Sequence, residues 1–213
     1  MARQLLCDSL IFDMDGTLWD AVDSYVKVWN TTLDHIGVPH SPVTRGQLLS
    51  LMGKHLEDIT AVLAPELAGD TSFLETLDLH ERSMMPRLGG VLYPGVKETI
   101  AKLAEKIPLF MVSNCGSYGL QNFMDYTGLR PYFTDTLTHG GSGLPKAGNI
   151  AVIVERNNLK HPIYVGDTLT DEEAAHQAGV KFIWCAYGFG TAKAPDATIT
   201  SIAQLPALLD IAQ

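Results

Sequence analysis

A chain of 213 residues can bury a sizeable core, either as one large domain or as a main domain carrying a smaller insert. With 46% apolar and 18% charged residues it has the composition of an ordinary soluble globular protein, and a formal net charge of −9 without clustered Lys and Arg argues against tracking a nucleic-acid backbone. Three cysteines at unrelated spacings, Cys7, Cys115 and Cys185, suggest neither a disulfide framework nor a zinc site and fit a reducing cytoplasm; no leader is expected from the opening MARQLLCDSLIF, and no apolar run approaches the roughly 18 residues that span a bilayer.

LIFD, residues 10–13, reads as an opening strand that runs into the acidic turn DMDG. From about residue 20 to 88 the apolar periodicity is helical throughout. Val22, Tyr25, Val26, Trp29, Leu33 and Ile36 define a first helix, with Asp20 as its expected N-cap and Gly37 as its stop. Leu56, Ile59 and Leu63 mark a second. Ser72, three residues ahead of Glu75 in capping-box spacing, opens a third that carries Leu77, Met84 and Met85. LGGVLYPG, 88–95, closes this region as a linker. Beyond it LFMVS (109–113), DTLTH (135–139), IYVG (163–166) and FIWCA (182–186) read as strands. Helices between them start near Val96, Tyr118, Asn149 and Asp171, and Ser201 has capping-box spacing to Gln204 for a last one. Alternating strand and helix predicts a parallel sheet covered on both faces. The expected fold is therefore a doubly wound α/β core, residues 1–18 and 89–213, with a helical domain, residues 19–88, inserted after the first strand.

Open parallel sheets bind ligands at the carboxyl ends of their strands, so the polar residues that end these strands line one edge. Asp13 ends the first strand and Ser113 the second, Lys146 follows the third in the Gly-rich loop GGSGLPKAG, and Asp167 follows the fourth. Acid, hydroxyl, ammonium and acid then meet in one crevice, and the helical insertion leaves from that same edge, where a lid that excludes water belongs. Each residue alone has a plainer meaning. Asp-Gly is a turn, Ser113 a strand-end cap outside any G-x-S-x-G setting, Lys146 a solvated lysine, and Asp171 with Glu172 a favourable first turn of a helix. A calcium loop at Asp13 fails, because Gly16 stands at the fourth position instead of the sixth and Ser24 replaces the closing Glu. The four in this order on one edge point to chemistry.

FDMDGTLWD, YPGV, MVSN, Lys146 and YVGDTLTDEEAAHQAG together resemble the motif series of the haloacid dehalogenase superfamily, in its phosphoglycolate phosphatase-like group with a helical cap after the first strand; the likeness covers nearly the whole chain. The resemblance implies a Mg²⁺-dependent phosphatase acting on a small phosphorylated metabolite, phosphoglycolate-like or a sugar phosphate, through an aspartyl-phosphate. It makes Asp13 the nucleophile and Asp15 the general acid and base. It has Mg²⁺ held by Asp13, the backbone carbonyl of Asp15 and Asp167, with Asp171 orienting them from behind, and it turns Thr17, Ser113, Asn114, Lys146 and Lys54 toward phosphate or substrate. The chemistry suits these residues: a carboxylate of pKa about 4 is ionised at neutral pH and attacks phosphorus once a cation offsets the repulsion. Crowded acids raise one another's pKa while a metal lowers it, which equips Asp15 to carry a proton. Two departures stand out: Ser113-Asn114-Cys115 where the family often has Thr-Asn-Lys, and Lys146-Ala147 where Lys-Pro is common.

The second aspartate, Asp15, separates the chain from the family's dehalogenases and from its phosphonate-cleaving members, for whose Schiff-base lysine Lys54 is misplaced. Sugar phosphomutases of the β-phosphoglucomutase type keep both aspartates and are the alternative enzyme. A phospho-acceptor switch or a silent partner-binding protein on the same scaffold is the alternative outside catalysis, although a switch needs neither Asp15 nor a lid. Trp19, Arg45, Lys54 and His55 are candidates to face the crevice, LMGKHLEDI resembles the family's substrate-screening cap loop, Arg87 stands near the hinge, and AYGFG at 186–190 is expected to border the site without doing chemistry.

Overall fold

The computed structural model describes residues 4–212. The chain opens with β1 (Leu5–Cys7), β2 (Ser9–Phe12) and the short β3 (Trp19–Asp20), then runs through α1 (Val22–Ile36), α2 (Arg45–Leu49), α3 (Leu56–Leu63) and α4 (Thr71–Leu88) before returning in β4 (Val91–Leu92). The rest alternates: α5 (Val96–Ala104), β5 (Leu109–Ser113), α6 (Gly119–Thr127), β6 (Asp135–Thr138), the single turn α7 (His139–Ser142), α8 (Lys146–Arg156), β7 (Pro162–Gly166), α9 (Leu169–Gln177) and β8 (Lys181–Cys185). It closes with β9 (Ala197–Ile199), the single turn α10 (Leu205–Leu208) and β10 (Leu209–Ile211). Among the described residues no helix is long and apolar enough to cross a membrane.

Six strands form one parallel sheet in the order β6-β5-β2-β7-β8-β9. From β2 the winding runs outward through β5 and β6, then returns to the other side of β2 for β7, β8 and β9, so the direction reverses between β2 and β7. That reversal opens a crevice outside the carboxyl ends of those two strands. Strands buried on both faces read as continuous apolar runs, as SLIF and LFMVS do. Their alternate side chains feed two cores: Leu10, Phe12 and Met111 pack with Ile100 of α5 and Phe123 of α6, while Ile11, Phe110 and Val112 pack with Ile150 and Ile153 of α8 and Ala175 of α9. Both cores close beneath the same strand ends, which fixes them as a rigid floor.

The helices between β3 and β4 join the sheet through a two-strand ribbon, in which Trp19 pairs with Leu92 and Asp20 with Val91. The ribbon replaces the plain linker expected over 88–95. Its Gly90 is required by close approach, since a Cβ there would lie 2.7 Å from the Trp19 ring and 2.9 Å from the Asp20 carbonyl. Trp29 of α1 packs on Phe73 of α4 at 5.6 Å between rings, and Arg82 of α4 lies 4.3 Å over the Tyr118 ring at the start of α6, which seats this helical layer on the sheet domain.

Several local expectations are corrected. α1 starts after Ala21, with the Asp20 carboxylate accepting from Val22 N at 3.0 Å; Gly37 stops it in the left-handed region, at φ +71°. The third helix is capped by Asp70, whose Oδ1 accepts from Ser72 N (2.9 Å) and Phe73 N (3.2 Å), so Ser72 already lies in the first turn and the Ser72–Glu75 box does not form. α2, absent from the reading of the sequence, carries its own capping box from Thr44 to Gln47. The strand DTLTH ends at Thr138. The helix expected near Asn149 starts at Lys146, and the one expected at Asp171 starts at Leu169. Ser201 caps nothing; a 3₁₀ turn, Ile202–Gln204, follows it, and Gln204 Oε1 accepts from Thr200 N at 2.9 Å.

Candidate active site

Asp13 N donates to Val165 O at 2.9 Å and so continues the β2–β7 ladder one residue past the strand, which brings its carboxylate to the mouth of the crevice. The chain then turns sharply. Leu18 N donates to Met14 O at 2.9 Å, and Gly16 takes φ +80°. A Cβ on Gly16 would lie 2.1 Å from Asp167 Oδ2, so the turn needs glycine for its backbone angle and for the room it leaves Asp167. The tight exit sets Asp13 and Asp15 beside one another.

The Lys146 ammonium donates to Asp13 Oδ1 at 3.1 Å and to Asp171 Oδ1 at 2.5 Å, with all three side chains buried. Lys146 occupies the first turn of α8 instead of the loop before it, which gives this long side chain a fixed base. Burial opposes its charge, yet Asp13 and Asp171 hold the ammonium well above the usual lysine range. Burial raises Asp13 to about 6 despite Lys146, and raises Asp15, with Asp13 as its near neighbour, well above the ordinary carboxyl value. Asp15 is gripped by Trp19 Nε1 at 2.9 Å and by the Tyr25 hydroxyl at 3.4 Å.

Asp167 is held from both sides. Thr17 Oγ1 donates to its Oδ1 at 3.2 Å and Phe189 N to its Oδ2 at 2.7 Å, while burial and Asp171 push its pKa well up. Asp171 Oδ2 accepts from Thr168 N (2.9 Å), Thr168 Oγ1 (2.7 Å) and Asp167 N (3.2 Å). Asp171 is thus engaged through both oxygens and clamps Lys146 to the Asp167 turn.

Asp13, Asp167 and Asp171 each offer an oxygen within 4.8 Å of the others'. With Asp15 they set four carboxyl groups against the single ammonium of Lys146, a buried imbalance that a hard divalent cation with oxygen ligands corrects. The donor set of carboxylate oxygens from Asp13, Asp167 and Asp171 fits such an ion.

The crevice is lined by Asp13, Asp15, Ser113 and Lys146 on the sheet side and by Trp29, Lys54 and Glu81 among others from the helical layer. Ser113 ends β5 with its Oγ accepting from Cys115 N at 3.4 Å, and Asn114 Nδ2 donates to Gly53 O at 2.8 Å, tying the strand end to the loop that carries Lys54. The Thr17 hydroxyl is buried and turned to Asp167. Trp19 is buried against Asp15. Arg45 pairs with Asp20 and Asp23, and Arg87 reaches only back to Ser83 O at 3.5 Å, so neither enters the cavity. His55 packs on His139 with the rings tilted by 48° and their centres 3.9 Å apart. AYGFG borders the site as expected, with Tyr187 Oη donating to Thr17 O at 2.8 Å and Phe189 N holding Asp167. Tyr25, Glu81 and the Phe189 amide escaped the reading of the sequence, since the first two sit on helix faces where periodicity alone speaks and the third is a backbone group.

Residues 10–185 match the family model for haloacid dehalogenase-like hydrolases. The chain belongs to that family. A phosphoglycolate phosphatase of Rhodobacter capsulatus is 29% identical over 86% of this chain and 86% of its own length. A haloacid dehalogenase-like family hydrolase of Streptococcus pneumoniae superposes with TM-score 0.81 at 20% identity over 94% of this chain and 97% of that one. CbbY of Rhodobacter sphaeroides, solved in complex with phosphate, superposes with TM-score 0.78 at 18% identity over 94% of this chain and 96% of that one. These structures share the α/β fold described above, and the chain is a hydrolase of this superfamily.

Proposed function

We propose that this hydrolase is a Mg²⁺-dependent cytoplasmic phosphatase that cleaves a small phosphorylated metabolite through an aspartyl-phosphate on Asp13. The observation that carries the reading is the pair Asp13 and Asp15 at the switch point of the sheet, the first held by Lys146 at 3.1 Å and the second gripped by Trp19 at 2.9 Å. One carboxylate is thereby tied to a cation, while burial and the neighbouring Asp13 raise the pKa of the other, which equips it to hold a proton. The phosphoglycolate phosphatase of Rhodobacter capsulatus supports phosphate-ester chemistry.

Asp13 Oδ2 attacks phosphorus and forms the acyl–phosphate bond as the ester P–O bond breaks. Asp15, whose pKa is raised, passes its proton to the departing alcohol oxygen. The Asp15 carboxylate then takes a proton from the water that attacks the aspartyl-phosphate, which restores both residues and frees inorganic phosphate. Lys146 and Ser113 offset charge on the phosphoryl oxygens. A bound Mg²⁺, held by Asp13 and Asp167 with the Asp15 carbonyl, would supply charge neutralisation for an anion meeting an anion. Residues 19–88 act as the cap over this crevice, with Lys54 on its substrate loop and Asn114 joining that loop to the floor.

Release of phosphate from p-nitrophenyl phosphate by purified protein, dependent on Mg²⁺ and lost in Asp13→Asn, is the expected result. Isomerised sugar phosphate without net phosphate release would indicate the mutase, and no turnover on a broad panel of esters would indicate the non-catalytic alternatives.

A further inference from the structure

The cavity has two ends of opposite character. At the inner end Lys146 and Ser113 meet the phosphoryl group. At the outer end two of the lining polar groups, Asn114 Oδ1 and the Glu81 carboxylate, are hydrogen-bond acceptors. Asn114 is 7% exposed, and because its Nδ2 is committed to Gly53 O at 2.8 Å, the orientation of its amide is set and Oδ1 points away from that bond. That Oδ1 is buried without a hydrogen-bond partner. Glu81, on α4, lines the same cavity, and its Oε2 would lie 3.8 Å from a Cβ built on Gly116, which places the carboxylate over the segment that follows Ser113. Among the described residues nothing donates to Glu81, and burial together with the nearby Asp78 pushes its pKa up to about 7. A buried acceptor left without a donor, as Asn114 Oδ1 is, is costly, and a ligand that supplies a donor removes the cost; the half-buried Glu81 offers a second acceptor in the same cavity. Trp29, Met52 and Ile59 give this end an apolar wall. Its one cation, Lys54, is exposed to screening water.

We propose that Asn114 Oδ1 and the Glu81 carboxylate receive the hydrogen-bond donors of the leaving alcohol, so that the enzyme takes phosphate monoesters whose leaving group carries hydroxyl or amino groups and discriminates against those ending in a carboxylate. A terminal carboxylate brings no donor to Asn114 Oδ1 and sets a like charge before Glu81. A hydroxyl brings one donor and satisfies one of the two acceptors, and an ammonium, with three donors, is able to satisfy both. This rests on the phosphatase reading and narrows it toward polyol and amino-alcohol phosphates, away from phosphoglycolate itself.

The test compares kcat/KM for esters matched in length: 2-hydroxyethyl phosphate, 2-aminoethyl phosphate and 2-phosphoglycolate, with glycerol 3-phosphate against 3-phosphoglycerate as the longer pair and p-nitrophenyl phosphate as the general substrate. The donor-bearing esters are expected to exceed the carboxylates by about tenfold or more. Glu81→Gln should shrink that preference, and Glu81→Lys should reverse it, with folding checked by circular dichroism. A larger drop on Glu81→Gln for the amino ester than for the hydroxy ester identifies the amino group as the preferred partner of Glu81, and a larger drop for the hydroxy ester identifies the hydroxyl. Turnover of p-nitrophenyl phosphate combined with a preference for the carboxylate esters, or with ratios that folded Glu81 variants leave within about twofold, overturns the selectivity alone. No phosphate release from any of these compounds overturns the phosphatase reading and the selectivity with it.

Discussion

Trp19 Nε1 donates to Asp15 Oδ1 at 2.9 Å, and Trp19 is also one of the two residues that pair the outgoing strand of the helical layer with the returning one. The proton carrier of the proposed reaction is therefore fastened to the ribbon that joins the two halves of the molecule. Trp19→Phe keeps the ring and removes the donor. Because the Trp19 hydrogen bond lowers the Asp15 pKa against burial, its loss lets that pKa rise further. With Asp15 acting as the acid in aspartyl-phosphate formation, kcat/KM should fall by about tenfold and its alkaline limb should move to higher pH. A pH–rate profile of the variant beside the parent checks both.

Among the described residues Lys146 is the only ammonium within bonding distance of Asp13 and Asp171. Lys146→Met leaves two buried carboxylates facing one another without their cation, a change that typically costs about 3–5 kcal/mol. The midpoint of thermal unfolding should fall by about 10 °C in a chain of this size, with phosphatase activity lost as well. Differential scanning calorimetry in the absence of divalent ions measures the stability effect apart from catalysis.

Asp13 is raised in the folded chain to about 6 from its ordinary value of 3.8, and Asp167 is shifted in the same direction. The fold thus holds these protons more tightly than the unfolded chain does. The stability this contributes is complete below pH 3.8 and is lost as pH rises through about 6. A cation that binds the ionised carboxylates restores stability in the range where it has been lost. Saturating Mg²⁺ at about 100 times its dissociation constant should add about 2.7 kcal/mol at pH 8, a thermal shift of about 5–10 °C, and little at pH 5. Thermal-shift titrations at the two pH values decide it, and Asp13→Asn should flatten the response.

The parts of this site that could be read from the sequence are those whose position follows from strand ends. Asp13, Ser113 and Asp167 stand one residue beyond or at the ends of β2, β5 and β7, and a parallel sheet brings such residues to one edge whatever lies between them. Gly16 and Gly37 were legible because left-handed turns select glycine. Helix starts were less so. Asp70 outcompeted Ser72 as a cap because its carboxylate reaches two free amides at once, and Lys146 entered α8 because Pro145 is compatible with the extended backbone that precedes a helix. β1, β9 and β10 are three residues each, too short for a periodic signal; β9 pairs with β8 at the edge of the main sheet, and β1 and β10 pair only with each other. Tyr25 and Glu81 lie on faces of α1 and α4 that turn toward the crevice only once those helices are seated, so no local pattern marks them.

The role of Asp13 as nucleophile is tested most directly by trapping. Protein turning over a phosphate monoester with Mg²⁺ is quenched in acid, reduced with borohydride, which converts an aspartyl-phosphate to homoserine, and mapped by peptide mass spectrometry. The account predicts reduction at residue 13 alone, dependent on substrate and absent from Asp13→Asn. Steady phosphate release with no reducible acyl phosphate at Asp13, or with the label on another residue, would contradict it.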